Sequence, residues 1–385
     1  MGESVSSRRK RLLCPICLTS FGAVSWISEQ EGEVTGRPKI SACANWLRRL
    51  IRKPSGRDRI AHGAGKAYLG WKQKAPHPTC PNQHVLPPDF DRRDTVVVGL
   101  VGEKGSSKSH YLAALVTTLV EEGPLTRFGI TVGISPESER VFREQYYEPL
   151  FIHHSQLEGT LPLYDVEEVR QPLVLELLNF QTNTYTNLVI FDAAGEQLNT
   201  DVDQARYSGF LLATDIVMLF VTPDSLRGLR SYTGAGTDAL QNVISTKSMF
   251  EQLATQLRHA RGLDTIDPLD DVIGTVLLAK ADLLSDIPRF REDLLREPSY
   301  EEVTSKSTLA RIEDESDWIS QLLENHGGRD LVASLTARYQ GCSFHSVSAT
   351  GCSAVNGKFD EIKPFRCLDP LLYGLIKLGV ISKER

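Results

Sequence analysis

Eight consecutive residues, Gly102-Glu103-Lys104-Gly105-Ser106-Ser107-Lys108-Ser109, have the types and spacing of a loop that holds phosphate. In the G-x-x-x-x-G-K-[ST] arrangement, backbone N–H groups at a helix start cradle the phosphates. Gly102, Gly105 and Ser107 would bind through that backbone. Lys108 would reach the β- and γ-phosphates as a point charge, and the Ser109 hydroxyl would bind Mg²⁺. Ser107 stands where the pattern has its second glycine. Serine is small and favoured at helix starts, so a modest penalty and a retained site are expected. Lys104 adds a second cation, placed either to stabilise charge developing on a phosphate or simply to face solvent.

A second element, Leu188-Val189-Ile190-Phe191-Asp192-Ala193-Ala194-Gly195-Glu196, reads as an apolar strand ending in Asp-x-x-Gly. At the carboxyl end of a strand beside the loop, Asp192 can hold the Mg²⁺ shell. Gly195 can offer its backbone N–H to a γ-phosphate and so sense whether one is present. Glu196 follows and is the catalytic candidate alongside Lys108. Its carboxylate can orient water or act as a base, yet it also repels the γ-phosphate, which predicts slow hydrolysis. Thr160 is the candidate for completing Mg²⁺ coordination, against the alternative of an ordinary loop threonine.

Further along, Val276–Asp282 is a strand running into a Lys-x-Asp step. The Asp282 carboxylate can accept both N–H donors of a guanine edge, which adenine does not offer, while the stem of Lys280 packs on the base. Phe344–Thr350 is a strand ending in Ser348-Ala349, suited to presenting a backbone N–H to the guanine carbonyl. Asp282 also reads as a helix N-cap and Ser348 as a turn residue.

Cysteines form another constellation. Cys14-x2-Cys17 and Cys80-x3-His84 together supply a valid tetrahedral Zn²⁺ set. The stretch between Cys17 and Cys80 is longer than a compact zinc ribbon needs, and Gln83 ligates poorly, so His84 must serve. Cys43, His62 and His77 are rival ligands, and unligated buried thiols are the alternative. Seven cysteines in sparse groups argue for reduced thiols rather than a disulfide framework. Core packing suffices for Cys342, Cys352 and Cys367.

The elements that must position these groups follow from periodicity. Strands are expected at 95–101, 130–135, 173–178, 188–191, 216–221, 272–278 and 343–347. Helices are expected after the loop with Tyr111, Leu112, Leu115 and Leu119 on one face, at 203–212, 239–258, 317–325 and 331–339, and from Pro370. The continuous β-branched run at Thr95–Val101 suits a strand buried on both faces of a parallel sheet. Strands alternating with helices predict an α/β domain with a mainly parallel sheet and helices on both faces. It would span residues 89–385, with insertions near 136–171, 225–270 and 285–340. Residues 1–88 would form a small zinc-ribbon-like head with its own amphipathic helix at 43–53.

The 385 residues are 41% hydrophobic and 24% charged, which excludes wholesale disorder and leaves room for two to three domains. The longest apolar run, Gly209–Val221, is broken by Thr214 and Asp215 and is too short to span a bilayer. No secretory leader is recognisable, so a soluble, cytoplasmic protein is expected. The net charge of −6 is unevenly spread. Residues 1–80 hold 15 Lys/Arg and 5 Asp/Glu, hence +10, whereas the remainder holds 28 and 44, hence −16. Within residues 34–74 Asp58 is the one acid, and Trp46, Tyr68 and Trp71 are interleaved among the bases. That composition suits nucleic acid or an anionic lipid surface. It equally suits a solvated insertion, or one that docks on the acidic body. Met1-Gly2-Glu3-Ser4-Val5-Ser6 also fits the loose pattern for N-myristoylation.

Taken in order, the loop Gly102–Ser109, Asp192 with Gly195, Ala279–Asp282 in the [NT]-K-x-D position, and Ser348-Ala349 resemble the P-loop GTPases of the translation-factor and Ras-like class. The departures are Ser107 for Gly and Ala279 for Asn or Thr, the latter removing contacts that brace the base site. More narrowly, a short cysteine head, Val-Gly-Leu-Val-Gly-x-x-Gly-Ser-x-Lys-Ser-His-Tyr-Leu and a late Asp-x-Ala-Gly-Glu resemble the bacterial "double-GTPase" proteins. The resemblance implies a GTP-binding switch with slow, partner-stimulated hydrolysis, GTP/GDP and Mg²⁺ as ligands, and a place in a bacterial conflict or defence system. Readings from other classes are a nucleotide-binding scaffold without turnover and a nucleic-acid-binding protein acting through the basic head.

Overall fold

The computed structural model describes residues 12–14, 20–21, 25–27, 77–84, 86, 90, 93–157, 172–192, 213–233, 240–264, 267–294, 304–339 and 341–382. The helix expected at 203–212, the one at 43–53 and the basic stretch 34–74 lie outside the described residues.

Near the N-terminus, β1 (Leu12–Leu13) pairs antiparallel with β2 (Ser20–Phe21), and β3 (Ser25–Ile27) pairs antiparallel with β4 (His77–Thr79). The main sheet begins with β5 (Asp94–Gly102), followed by β6 (Ile130–Ile134), β7 (Leu173–Asn179), β8 (Thr184–Asp192), β9 (Ile216–Val221), β10 (Ile273–Leu278) and β11 (Ser343–Ser346). The order across it is β11-β10-β9-β5-β8-β7-β6. Neighbours from β11 to β8 run parallel, whereas β7 is antiparallel to both β8 and β6. The hairpin from β7 to β8 lengthens the strand expected at 188–191 back to Thr184. The Asn179 side-chain oxygen accepts the amides of Gln181 and Thr182 and so fixes the turn.

The β-branched run of β5 does what its composition predicts. Val96, Val98 and Leu100 enter one core with Tyr111, Leu112 and Leu115, while Val97 and Val101 enter the other with Phe250, Leu253 and Leu257. Residues 108–117 form α1, 136–142 α2, 240–261 α3, 305–323 α4, 329–338 α5 and 369–377 α6. α1 and α6 cover one face of the sheet; α3 and α5 cover the other. The helix expected at 317–325 starts twelve residues earlier. Its first three turns bury Ser305, Thr308, Glu315 and Ser316 alongside Ile312, so its inward face is too polar to register as an apolar stripe. Asp215, which interrupts the apolar run, is buried and accepts the Val97 amide at 2.8 Å, tying β9 to β5. Among the described residues no helix is long and apolar enough to cross a membrane.

Candidate functional site

The crossover after β5 runs through α1 on one face, and the crossover after β9 runs through α3 on the other. Between neighbouring strands whose connections diverge in this way, the carboxyl ends open into a crevice where α/β sheets bind ligands. The residues expected to hold phosphate stand at that edge. Gly102 ends β5 opposite Phe220 of β9, and a Cβ there would sit 2.7 Å from the Phe220 Cβ, so only glycine fits. Gly105 has φ +79°, with nothing within 4 Å of a Cβ, so backbone conformation alone demands glycine.

Lys108 is buried, and its ammonium donates to the carbonyls of Gly102 at 2.6 Å and Glu103 at 2.8 Å. The loop thus wraps its own cation at the first turn of α1. Ser106 closes the turn by donating its hydroxyl to the Glu103 carbonyl at 2.7 Å. The Glu103 carboxylate, to which the sequence assigned no role, accepts the hydroxyl of buried Thr246 on α3 at 2.6 Å. Lys104 faces solvent.

Ser107 departs from its expected rationale. Its backbone is left-handed, at φ 67° and ψ 22°, and its side chain makes no capping hydrogen bond to α1. Small size and a liking for helix starts are therefore not what the position asks for; a positive φ is, and that is glycine's property.

The Ser109 hydroxyl donates to Asp192 Oδ2 at 2.9 Å, joining the helix start to the end of β8. A hydroxyl has one proton and two lone pairs, so while donating to Asp192 it can still offer an oxygen to a cation. The Ser109–Asp192 pair thereby fits the donor set Mg²⁺ prefers. Gly195, Glu196 and Thr160 lie outside the described residues.

The base-side candidates also converge. Lys280 is left-handed, at φ 55°, and leads into a short turn at Ala281–Leu284, so Asp282 sits inside that turn rather than capping a helix. The Ser348 hydroxyl donates to Asp282 Oδ1 at 2.6 Å and accepts the Gly351 amide at 2.9 Å. Burial raises the Asp282 pKa, and the Ser348 bond and Lys280 charge oppose that rise. Ala281 donates its amide to the Val347 carbonyl and Val347 to the Leu278 carbonyl, which keeps the two segments in register. Ala349 is buried in the adjoining turn.

His110, given no role of its own in the sequence, follows Ser109 on α1. Burial and the Lys280 charge lower its pKa to about 4, so the ring is neutral near pH 7. Its Nε2 accepts the Leu157 amide at 3.1 Å, which leaves the proton on Nδ1. Its place directly after the Lys-Ser pair was the one signal that could have marked it.

The thiol group of candidates is partly assembled. Cys14 and Cys80 Sγ lie 3.8 and 3.3 Å from His84 Nδ1, and the three ligand atoms are all within 4.8 Å of one another. The Cys80–Gln83 turn returns the chain so that the Cys80 amide meets the His84 carbonyl. Two thiols and an imidazole fit three positions of a tetrahedral zinc site. Cys17, Cys43 and His62 lie outside the described residues.

Sheet order, the glycine-bearing loop before α1, and the Ser109–Asp192 and Asp282–Ser348 pairs set the candidate groups along the carboxyl edge of a mainly parallel α/β sheet. No family model and no curated protein matches the chain. Among solved structures it is similar to the GTPase-like domain of S. cerevisiae Ski7 bound to GTP, at 12% identity and TM-score 0.30, covering 70% of this chain and 48% of that one. The same domain bound to GDP and inorganic phosphate aligns at 14% identity and TM-score 0.32, covering 74% and 50%. A bacterial selenocysteine-specific elongation factor, EF-Sec, aligns at 14% identity and TM-score 0.23, covering 66% and 25%. The chain spans about half the length of the Ski7 chains it matches.

Proposed function

We propose that this chain is a GTP-binding switch that hydrolyses its nucleotide slowly and changes partners when the γ-phosphate leaves. The observation that carries the reading is the convergence at one sheet edge of Lys108 and the Ser109–Asp192 pair. The Asp282–Ser348 pair lies on the neighbouring loops. In this reading Ser109 and Asp192, with Thr160, hold Mg²⁺, which neutralises phosphate charge and orients the terminal phosphoryl group. Lys108 exchanges loop carbonyls for phosphate oxygens, and the backbone of Gly102, Gly105, Ser107 and Gly195 supplies N–H donors. Asp282 and Ala349 read the guanine edge while Lys280 packs on its face. Glu196 orients water weakly, because its charge opposes the γ-phosphate.

The division into a head at 1–88 and a nucleotide domain at 89–385 belongs to the same proposal, as does structural Zn²⁺ on Cys14, Cys17, Cys80 and His84. A place in a bacterial conflict or defence system, with a cytoplasmic location, is the setting the sequence resemblance suggests. Glu196 in place of a water-orienting glutamine favours a second reading, a nucleotide-bound scaffold without turnover.

The test is Mg²⁺-dependent titration with GTP and ATP in parallel, followed by phosphate release over several hours. GTP preference lost in Asp282→Ala, with release abolished in Lys108→Ala, is the expected outcome. Binding without release selects the scaffold, and equal binding of both nucleotides removes the guanine assignment. No binding of either would sink the switch.

A further inference from the structure

Ala279 is buried and offers only a methyl group, so it cannot tie the base-reading segments to the phosphate loop through its side chain. A different connection exists. Tyr111, one helical step beyond His110 on α1, is buried and donates its hydroxyl to the Cys367 carbonyl at 2.8 Å. Its ring stands edge-on to Phe220, the β9 residue opposite Gly102, with centroids 5.2 Å apart. Cys367 is buried in turn, and its thiol points at the Ser348 carbonyl, 3.3 Å away.

Ser348 also exchanges both backbone hydrogen bonds with Phe365, at 3.2 and 2.9 Å, and its hydroxyl holds Asp282. The strap carrying Phe365 and Cys367 is itself fixed from behind. Arg366 pairs with Glu315 and Asp369, while Arg311 makes a bidentate pair with Asp369 at 2.8 and 3.1 Å. A continuous hydrogen-bonded path, buried as far as Ser348 and part-buried at Asp282, therefore runs from the phosphate-loop helix through Tyr111, Cys367 and Ser348 to Asp282.

We propose that Tyr111 and Cys367 are positioning residues for base recognition. They brace the Ser348 loop, and through it the Asp282 carboxylate, against α1, in place of an amide side chain at position 279. The inference rests on the guanine reading of Asp282. It adds that selectivity between bases is set by residues that touch no ligand. Both residues lie behind the loops rather than at the phosphates, so their loss should act on the base term of binding and spare the phosphate term.

The experiment measures GDP and ADP affinity, with Mg²⁺, on the full chain and its variants. Tyr111→Phe keeps the ring and its contact with Phe220 but removes the hydroxyl. It should weaken GDP binding about tenfold, the scale of one lost buried hydrogen bond. ADP affinity should move less than about twofold. Cys367→Ala should act in the same direction, and Cys367→Ser, which retains a donor, should recover most of the preference. That pair decides the question should Tyr111→Phe fail to fold. GDP and ADP weakened alike, or an unchanged preference in both Tyr111→Phe and Cys367→Ala, would overturn the brace while leaving the guanine reading standing. A wild-type chain with no preference for GDP, unaffected by Asp282→Ala, removes the guanine reading and the brace with it.

Discussion

Ser107 shows how one residue can keep a motif and still strain it. A non-glycine residue in the left-handed region costs about 1 kcal/mol or more, and here no capping bond offsets it. Ser107→Gly should therefore stabilise the fold by about 1 kcal/mol, read as a rise of a few degrees in the thermal midpoint. No change or a fall would mean that the serine side chain has a compensating role. Glu103 and Thr246 make the complementary case, a loop residue whose partner is 143 positions away. Thr246→Val keeps the shape and deletes the donor, and should cost about 1–2 kcal/mol in urea unfolding. Unaltered stability would show that the Glu103 carboxylate turns to water without loss.

At the scale of elements, the strap after β11 is held by charge in the interior. Glu315 on α4 receives Ser346 of β11 at 3.0 Å and pairs with Arg366. Burial raises its pKa, while the two arginines oppose the rise. Removing Glu315 leaves two arginines, one of them the buried Arg366, against the single carboxylate of Asp369, so Glu315→Ala should cost about 3 kcal/mol in denaturant unfolding. Its neighbour His345 is fully buried, bonds Ser343 at 2.8 Å and has its pKa lowered to about 4 from 6.5. Between those values the unfolded chain takes up a proton that the folded ring refuses. The stability His345 contributes above pH 6.5 is therefore lost progressively as pH falls toward 4, by about 3 kcal/mol at most, while Glu315, raised to about 7, contributes in the opposite sense over the same range. His345→Gln should flatten that acid limb in unfolding midpoints measured against pH. A limb of the same slope would assign the acid sensitivity to other groups.

At the scale of the molecule, the crevice at the carboxyl ends of β5, β8 and β9 exists only in the folded sheet, so a nucleotide bound there must stabilise the whole of it. GDP with Mg²⁺ at a hundred times its Kd should add about 2.7 kcal/mol to unfolding, and Lys108→Ala should abolish the gain. A gain that persisted in that variant would place the ligand elsewhere. The cysteine cluster makes a separate prediction. Metal analysis should find about one zinc per chain, lost in Cys14→Ser and Cys80→Ser, with nucleotide binding retained. The charge asymmetry supplies the test of the nucleic-acid reading. Salt-sensitive binding that survives Lys108→Ala and disappears on deletion of residues 34–74 would move function to the basic head.

Periodicity and local motif were enough to foresee the main-sheet strands and the tight turn between β5 and α1, because a strand buried on both faces favours a β-branched run and a turn is a contiguous string of residues. Gly102, Lys108 and Ser109 announce themselves for that reason, and so do Asp192 and Asp282, each at the end of an apolar run. The tertiary structure alone decided the left-handed backbone at Ser107, the polar inner face of α4 and the path from Tyr111 through Cys367 to Ser348. The last two depend on groups far apart in the chain. A tyrosine on an apolar helix face looks like core until the fold sets a carbonyl from position 367 within reach of its hydroxyl. Local spacing records what neighbours along the chain can do together, whereas the path behind Asp282 is built from contacts that only the closed sheet and its strap create.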